Sequence, residues 1–348
     1  MATLRTTSPL LLSLLAVVAC STVQPSRDGS AEDGSSPASE RVVRAVAAPL
    51  PQLEGSAFEV AGRATLPAAE PESHPDLHNV FELSENIISG SEPEGEGAFQ
   101  LLQEKGVRTI LSVDGKEPEA ELAAKYGMTY VHVPIRYNGI TDEDLAKITK
   151  TFREKEGPFY VHCFHGKHRG PAAAEIGRLV LDGIDRETAL GEMRQWCGTS
   201  ESYEGLYRTV ALADLPSESQ TRAMDWDFPS ASPLDGVAGA MVRITRSHDL
   251  LKALSKNDWR APDHHPDANA LNEAEQLAVL LQRTTELDET AAEPADFRAM
   301  MAASAEAAAQ LRDDLRAMNA GELTHEQASA SLKVVANSCT ACHEVYRN

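Results

Sequence analysis

Two groups of residues in this 348-residue chain have the types and spacing for covalent chemistry. The first is His162-Cys163-Phe164-His165-Gly166-Lys167-His168-Arg169. A thiolate is a strong nucleophile, and a thiol's pKa falls beside cations and at a helix N-terminus. An arginine fork can grip two oxygens of one anion. Gly166 permits a tight backbone turn, and Pro171 suits the first turn of a helix. The loop is therefore expected to aim backbone N–H groups at an oxyanion, with Phe164 to Arg169 as its wall and Cys163 as an acidic thiol beneath it. The second group is Cys339-Thr340-Ala341-Cys342-His343. C-x-x-C-H is the attachment pattern of a c-type haem. Cys339 and Cys342 would bond the porphyrin, and His343 would bind the iron on the proximal side.

The elements that must position these groups are legible in the apolar pattern. Short apolar runs at 108–113, 129–133 and 158–162 read as strands. Helical stretches lie between and after them at 94–105, 117–126, 141–155, 171–182, 186–197 and 202–213. Strands alternating with helices predict an α/β domain over 79–214, with a mostly parallel sheet flanked by helices. Cys163 then sits just past a strand, at the end where open α/β sheets bind ligands. Residues 215–233 hold Pro216, Pro229 and Pro233 among Ser and Asp and read as a linker. Beyond it the strand signals stop. Helical stretches at 234–255, 269–288, 294–319 and 323–346 predict an all-α four-helix bundle over 234–348. His264 and His265 fall in a Pro- and Asp-rich turn that reads as a solvated loop.

H-C-x5-R after a strand resembles the cysteine-dependent protein tyrosine phosphatase superfamily, and the compact dual-specificity members most closely. The resemblance covers about 79–214. It implies a phosphocysteine on Cys163, a phosphoryl clamp at Arg169, and a phosphorylated substrate, either a protein or an inositol phosphate. The chain departs from that pattern twice. Gly170 stands where the family has Ser or Thr, which predicts slow phosphocysteine breakdown, relieved in Gly170→Ser. The family's aspartate acid is absent after the second strand, where Arg136 and Tyr137 stand; Asp142 or Asp114 is left as the alternative. The near-terminal C-x-x-C-H resembles the cytochrome c′ class of bundle cytochromes. That resemblance implies haem c, an electron-transfer or gas-binding role, a redox partner, and Met241 of the first helix as the distal ligand.

Arg5, an apolar stretch from Pro9 to Ala19, and Val17-Val18-Ala19-Cys20 resemble a bacterial lipoprotein leader over 1–19. The resemblance implies lipidation of Cys20 and a periplasmic chain held by its anchor alone, with Ser21 favouring the outer membrane. Residues 20–78 are rich in Ser, Glu, Ala and Pro and read as a disordered tether. The formal net charge of −21 excludes nucleic acid as a natural partner. The expectation is an exported phosphomonoester hydrolase joined to a c-type cytochrome. The alternatives are haem-coupled persulfide chemistry at Cys163, or a non-enzymatic phospho-ligand-binding domain with a gas-sensing or electron-transfer cytochrome.

Overall fold

A computed structural model describes residues 45–346, which fall within one compact unit, Val43–Asn348. The leader, Cys20 and the first part of the expected tether lie outside the described residues. The sheet contains β1 (Glu72–His74), β2 (Leu77–Glu82), β3 (Ile87–Gly90), β4 (Thr109–Ser112), β5 (Thr129–His132) and β6 (Phe159–His162), in the order β1-β2-β3-β6-β4-β5. β3, β6, β4 and β5 run parallel, whereas β1–β2 and β2–β3 pair antiparallel. The sheet is thus mixed rather than mostly parallel. The expectation missed the antiparallel edge because β2 and β3 are short and joined by a short turn, and His78, Asn79 and Glu82 interrupt the apolar pattern of β2.

Helices α1 (Ala57–Ala61), α2 (Gly95–Glu104), α3 (Ala120–Lys125), α4 (Asp142–Glu154), α5 (Arg169–Gly177), α6 (Arg186–Gly191) and α7 (Glu204–Leu212) flank the sheet. One face packs on α2 and α3 through Phe99, Leu102, Ile110 and Tyr130. The other packs on α1 and α4–α7 through Leu111, Val131, Ile148, Val161 and Leu206. The α/β lobe begins well before 79. Ser56 and Glu59 form a capping box that starts α1, and Ala57, Val60 and Ala61 are buried. Arg186 donates to the carbonyl of Ala47, drawing that segment onto the lobe. So short a helix leaves almost no periodicity to read.

The expected linker is also packed. Ser217 and Gln220 box the start of α8 (Glu218–Ala223), Lys150 donates to Thr221 O at 2.9 Å, and Trp226 and Phe228 lie against the core. The helical lobe follows with α9 (Gly236–Lys256), α10 (Ala270–Thr285), a short α11 (Asp288–Ala292), α12 (Ala295–Asn319) and α13 (His325–Tyr346). Its core of Ile244, Leu251, Leu277, Leu281, Leu311 and Val335 is separate from the sheet's cores. α10 lies along α9 and α12, and α12 along α13, while α9 and α13 touch sparsely. α10 faces the α/β lobe, where Lys116 pairs with Glu275 at 3.0 Å and Arg283 with Glu117 at 3.3 Å. No helix among the described residues is long and apolar enough to cross a membrane.

Candidate active site

β6 ends at His162, so Cys163 stands at the carboxyl edge of the sheet, and α5 starts at Arg169. Gly166 has φ +70° and lies against the Gly90 backbone, where a Cβ would overlap the Gly90 carbonyl. A glycine is therefore needed for the loop to turn there. Among the described residues, the N–H groups of His165, Gly166, Lys167, His168 and Arg169 find no acceptor, and buried Arg169 Nε also has no partner. Buried donors left this way are costly unless an anion occupies the ring they form. Cys163 is wholly buried at its base.

Asp114, at the end of β4, holds this ring in place. Its carboxylate accepts from Arg169 Nη2 at 2.5 Å and from the Phe164 N–H at 3.2 Å. Burial works to raise its pKa, but Arg169 and the Lys116 N–H outweigh burial and hold it below the usual range. Asp114 is thus a permanent anion that orients Arg169, and a poor proton donor. Asp142 lies exposed in the first turn of α4, and no bond among the described residues joins it to the loop. Of the two aspartates, one reaches the site in the wrong protonation state and the other stays away.

The helical lobe closes over the loop. Asp267, in the turn before α10, is buried, and its carboxylate meets His165 Nδ1 at 2.5 Å and accepts from Tyr137 Oη at 2.6 Å. It lies 3.8 Å from Arg169 Nη2 and 3.7 Å from His168 Nε2. Tyr137 also accepts from Arg169, whose guanidinium stacks 4.0 Å from the tyrosine ring. His265 meets Tyr203 Oη at 2.8 Å, so this turn is a docking element and not a solvated loop.

The Cys163 thiol is consequently not acidic here. Burial pushes its pKa up, the Asp267 carboxylate pushes it further, and Arg169 opposes them. Two histidines beside it are neutral: burial pulls His162 down to about 3 and His168 to about 4. Lys167 points into solvent. Glu273, on α10, is different again. Burial, with the nearby Asp114 charge, raises its pKa to about 7, so it keeps a proton near neutrality. It lines the cleft that opens at Arg169. Tyr137, Asp267 and Glu273 were not singled out from the sequence as site residues, because two of them belong to a lobe whose only visible chemistry was C-x-x-C-H.

At the far end of the helical lobe, Cys342 is buried, Cys339 half-buried and His343 exposed, and both thiols are unbridged. Ser255 Oγ meets Ser329 Oγ at 2.9 Å, and Trp259 donates to the His325 carbonyl, so α9 and α13 run antiparallel from that end. Seven-residue steps keep one face of a helix. They lead from Ser255 to His248 and Met241 on α9, and from Ser329 to Ala336 and His343 on α13. Met241 and His343 therefore lie at one level, each roughly 21 Å along its helix from the serine contact. His248 Nε2, on the same flank, is buried without a partner. Among the described residues no three His, Cys, Asp or Glu side chains form a cage for a bare metal ion. The paired thiols, the adjacent histidine and a methionine at the same level of α9 fit a covalently held haem.

No protein-family model matches the chain. Over 119 residues, 34% of this chain and 54% of the relative, it is 27% identical to the dual specificity protein phosphatase TpbA of Pseudomonas aeruginosa strain UCBPP-PA14. The chain spans about half the length of the curated relatives it matches. Among solved structures, TpbA of P. aeruginosa aligns with a TM-score of 0.37 at 24% identity, covering 45% of this chain and 97% of that one. The core catalytic domain of the PP-IP phosphatase SIW14 from S. cerevisiae aligns with a TM-score of 0.34 at 19% identity, covering 42% and 89%. Over this stretch the α/β lobe is similar in sequence to dual specificity protein phosphatases.

Proposed function

We propose that this chain hydrolyses phosphomonoesters through a phosphocysteine on Cys163, and that its helical lobe carries haem c. The observation behind the first part is the ring of uncommitted donors over Cys163: the N–H groups of His165 to Arg169 and the Arg169 Nε. Such preorganised donors stabilise the charge that builds on phosphoryl oxygens during transfer. Asp267 lies beside Arg169 and raises the thiol pKa, so the substrate phosphoryl group competes with its carboxylate for that guanidinium. The Cys163 thiolate then attacks phosphorus, the ester P–O bond breaks, and the leaving oxygen takes the Glu273 proton. Water attacks the phosphocysteine next. Its proton returns to Glu273, the P–S bond breaks, and the thiolate is restored. Asp114 holds Arg169 in place throughout. Phosphate release from p-nitrophenyl phosphate by wild type and Cys163→Ser tests this scheme; equal rates would end it.

Haem c would be held by Cys339, Cys342 and His343, with Met241 opposite, and would supply electron transfer or gas binding in that lobe. Export, lipidation at Cys20, an outer-membrane site and a redox partner belong to the same proposal. A haem-stained band that survives denaturing electrophoresis and intact mass of the membrane-extracted chain test these points. A mature chain without acyl mass would remove the anchor.

A further inference from the structure

The cleft that opens at Arg169 runs between the lobes and has a volume of about 850 Å³. Arg136 lines it from the segment after β5, and Arg243 and Arg246 line it from α9. The carboxylates on its wall are committed elsewhere. Glu143 pairs with Lys147 at 2.6 Å, Asp249 with Lys252 at 2.6 Å, and Asp144 accepts from the Thr141 hydroxyl at 2.7 Å. Glu273 keeps a proton to about pH 7, because burial disfavours its charge. Asp235 and Glu117 act on Arg243 through their charge without an ion pair among the described residues. Among the described residues, no carboxylate lies within 4.0 Å of Arg136, Arg243 or Arg246. Burial and the nearby Arg136 charge both push the Arg246 pKa down. Arg136 and Arg246 face solvent and half-buried Arg243 donates to the Pro233 carbonyl at 3.5 Å, so three guanidiniums without a carboxylate partner share one wall in a chain of net charge −21. An anion among them would meet all three charges.

We infer that Arg136, Arg243 and Arg246 form a second anion subsite, and that the ligand is a small phosphoester bearing a further phosphate or carboxylate. One phosphoryl group enters the ring over Cys163, and the other anionic group lies in the cleft between the lobes. The volume falls within the range of small-molecule sites, roughly 300–1,000 Å³. Two of the three arginines belong to the helical lobe, so a bound ligand ties the lobes together. The inference rests on the anion ring of the proposed phosphatase site, which supplies the first of the two contacts.

Calorimetry on full-length Cys163→Ser, with inorganic phosphate, fructose 1,6-bisphosphate and inositol hexakisphosphate as probes, tests it. Each charge-assisted contact contributes about tenfold or more in affinity. Both multiply charged probes should therefore bind at least tenfold tighter than phosphate. Arg136→Ala/Arg246→Ala, two exposed positions whose loss spares the core, should collapse that ratio at least tenfold. An unchanged ratio would overturn the subsite. Preference for a doubly phosphorylated peptide, or binding only to vesicles containing a phosphorylated lipid, would overturn the small soluble ligand. Failure of wild type to turn over p-nitrophenyl phosphate, with the ratio intact, would instead sink the phosphatase reading and leave the subsite standing.

Discussion

Replacing Asp267 by Asn should make the site tighter for oxyanions and its cysteine more reactive. Asp267 is ionised, because the His165 bond and the Arg169 charge outweigh the burial that would raise its pKa. Its carboxylate lies 3.8 Å from Arg169 Nη2. An oxyanion on the same guanidinium would lie roughly 5 Å from it, where two like unit charges cost about 3 kcal/mol at an effective dielectric near 20. The Arg169 charge, which both anions share, offsets about half of that. About 1.5 kcal/mol remains, which is about tenfold in dissociation constant. The Asp267→Asn side chain keeps the shape and a hydrogen bond to Tyr137 but not the charge. The thiol pKa should fall with it, since Asp267 is the largest influence after burial that raises it. The assay is iodoacetamide labelling of Cys163 at pH 7, read on its own peptide, with and without vanadate. Faster labelling and about tenfold better vanadate protection are expected. Labelling and protection both within twofold of wild type would refute the reasoning.

Glu273→Gln should slow poor leaving groups about a hundredfold or more and p-nitrophenyl phosphate far less, because only the former need the acid. The folded pKa of Glu273 is about 7 against an ordinary 4.5, so the folded state binds the extra proton and stability falls as pH rises from 4.5 through 7. That change is about 3 kcal/mol, and Glu273→Gln should remove it in denaturant melts at pH 5 and pH 8; identical pH dependence would count against the burial argument. Gly170→Ser should lower turnover instead of raising it, since a Cβ there lies 3.0 Å from Cys163 N and 3.2 Å from His162 C, and rapid-quench kinetics will read the effect. Arg169→Lys should cost at least a hundredfold in kcat/KM, because one ammonium cannot hold Asp114, Tyr137 and a phosphoryl group together. Cys339→Ala/Cys342→Ala should abolish the haem-stained band, and Met241→Ala should turn a low-spin spectrum high-spin.

The parallel half of the sheet was legible because β4, β5 and β6 are short runs centred on apolar or aromatic residues and buried except at Thr129. Cys163, Arg169 and the turn at Gly166 were legible because their spacing is local. α1 and the β1–β2–β3 edge were not, being short and held by contacts that join residues far apart in sequence, such as the Ala57 N–H with Glu204 and Asn79 with the His165 carbonyl. The thiol's raised pKa was hidden for the same reason. Local cations around Cys163 can be counted in the sequence, but Asp267 arrives from a residue 102 positions beyond His165. Asp114 was named for its place at a strand end, yet its ion pair with Arg169, which makes it an orienting anion, follows from packing alone. The four long helices were placed within a few residues by their caps and stripes. Their docking against the α/β lobe through Gln276, Glu275 and Arg283 left no pattern to read.

The most direct test of the central claim is to trap the intermediate. Full-length protein mixed with p-nitrophenyl phosphate and quenched in acid within milliseconds should yield one phosphoryl group on the peptide containing Cys163, with a matching burst of p-nitrophenol and no label in Cys163→Ser. Steady phosphate release without label on Cys163, or with the rate retained in Cys163→Ser, would contradict it.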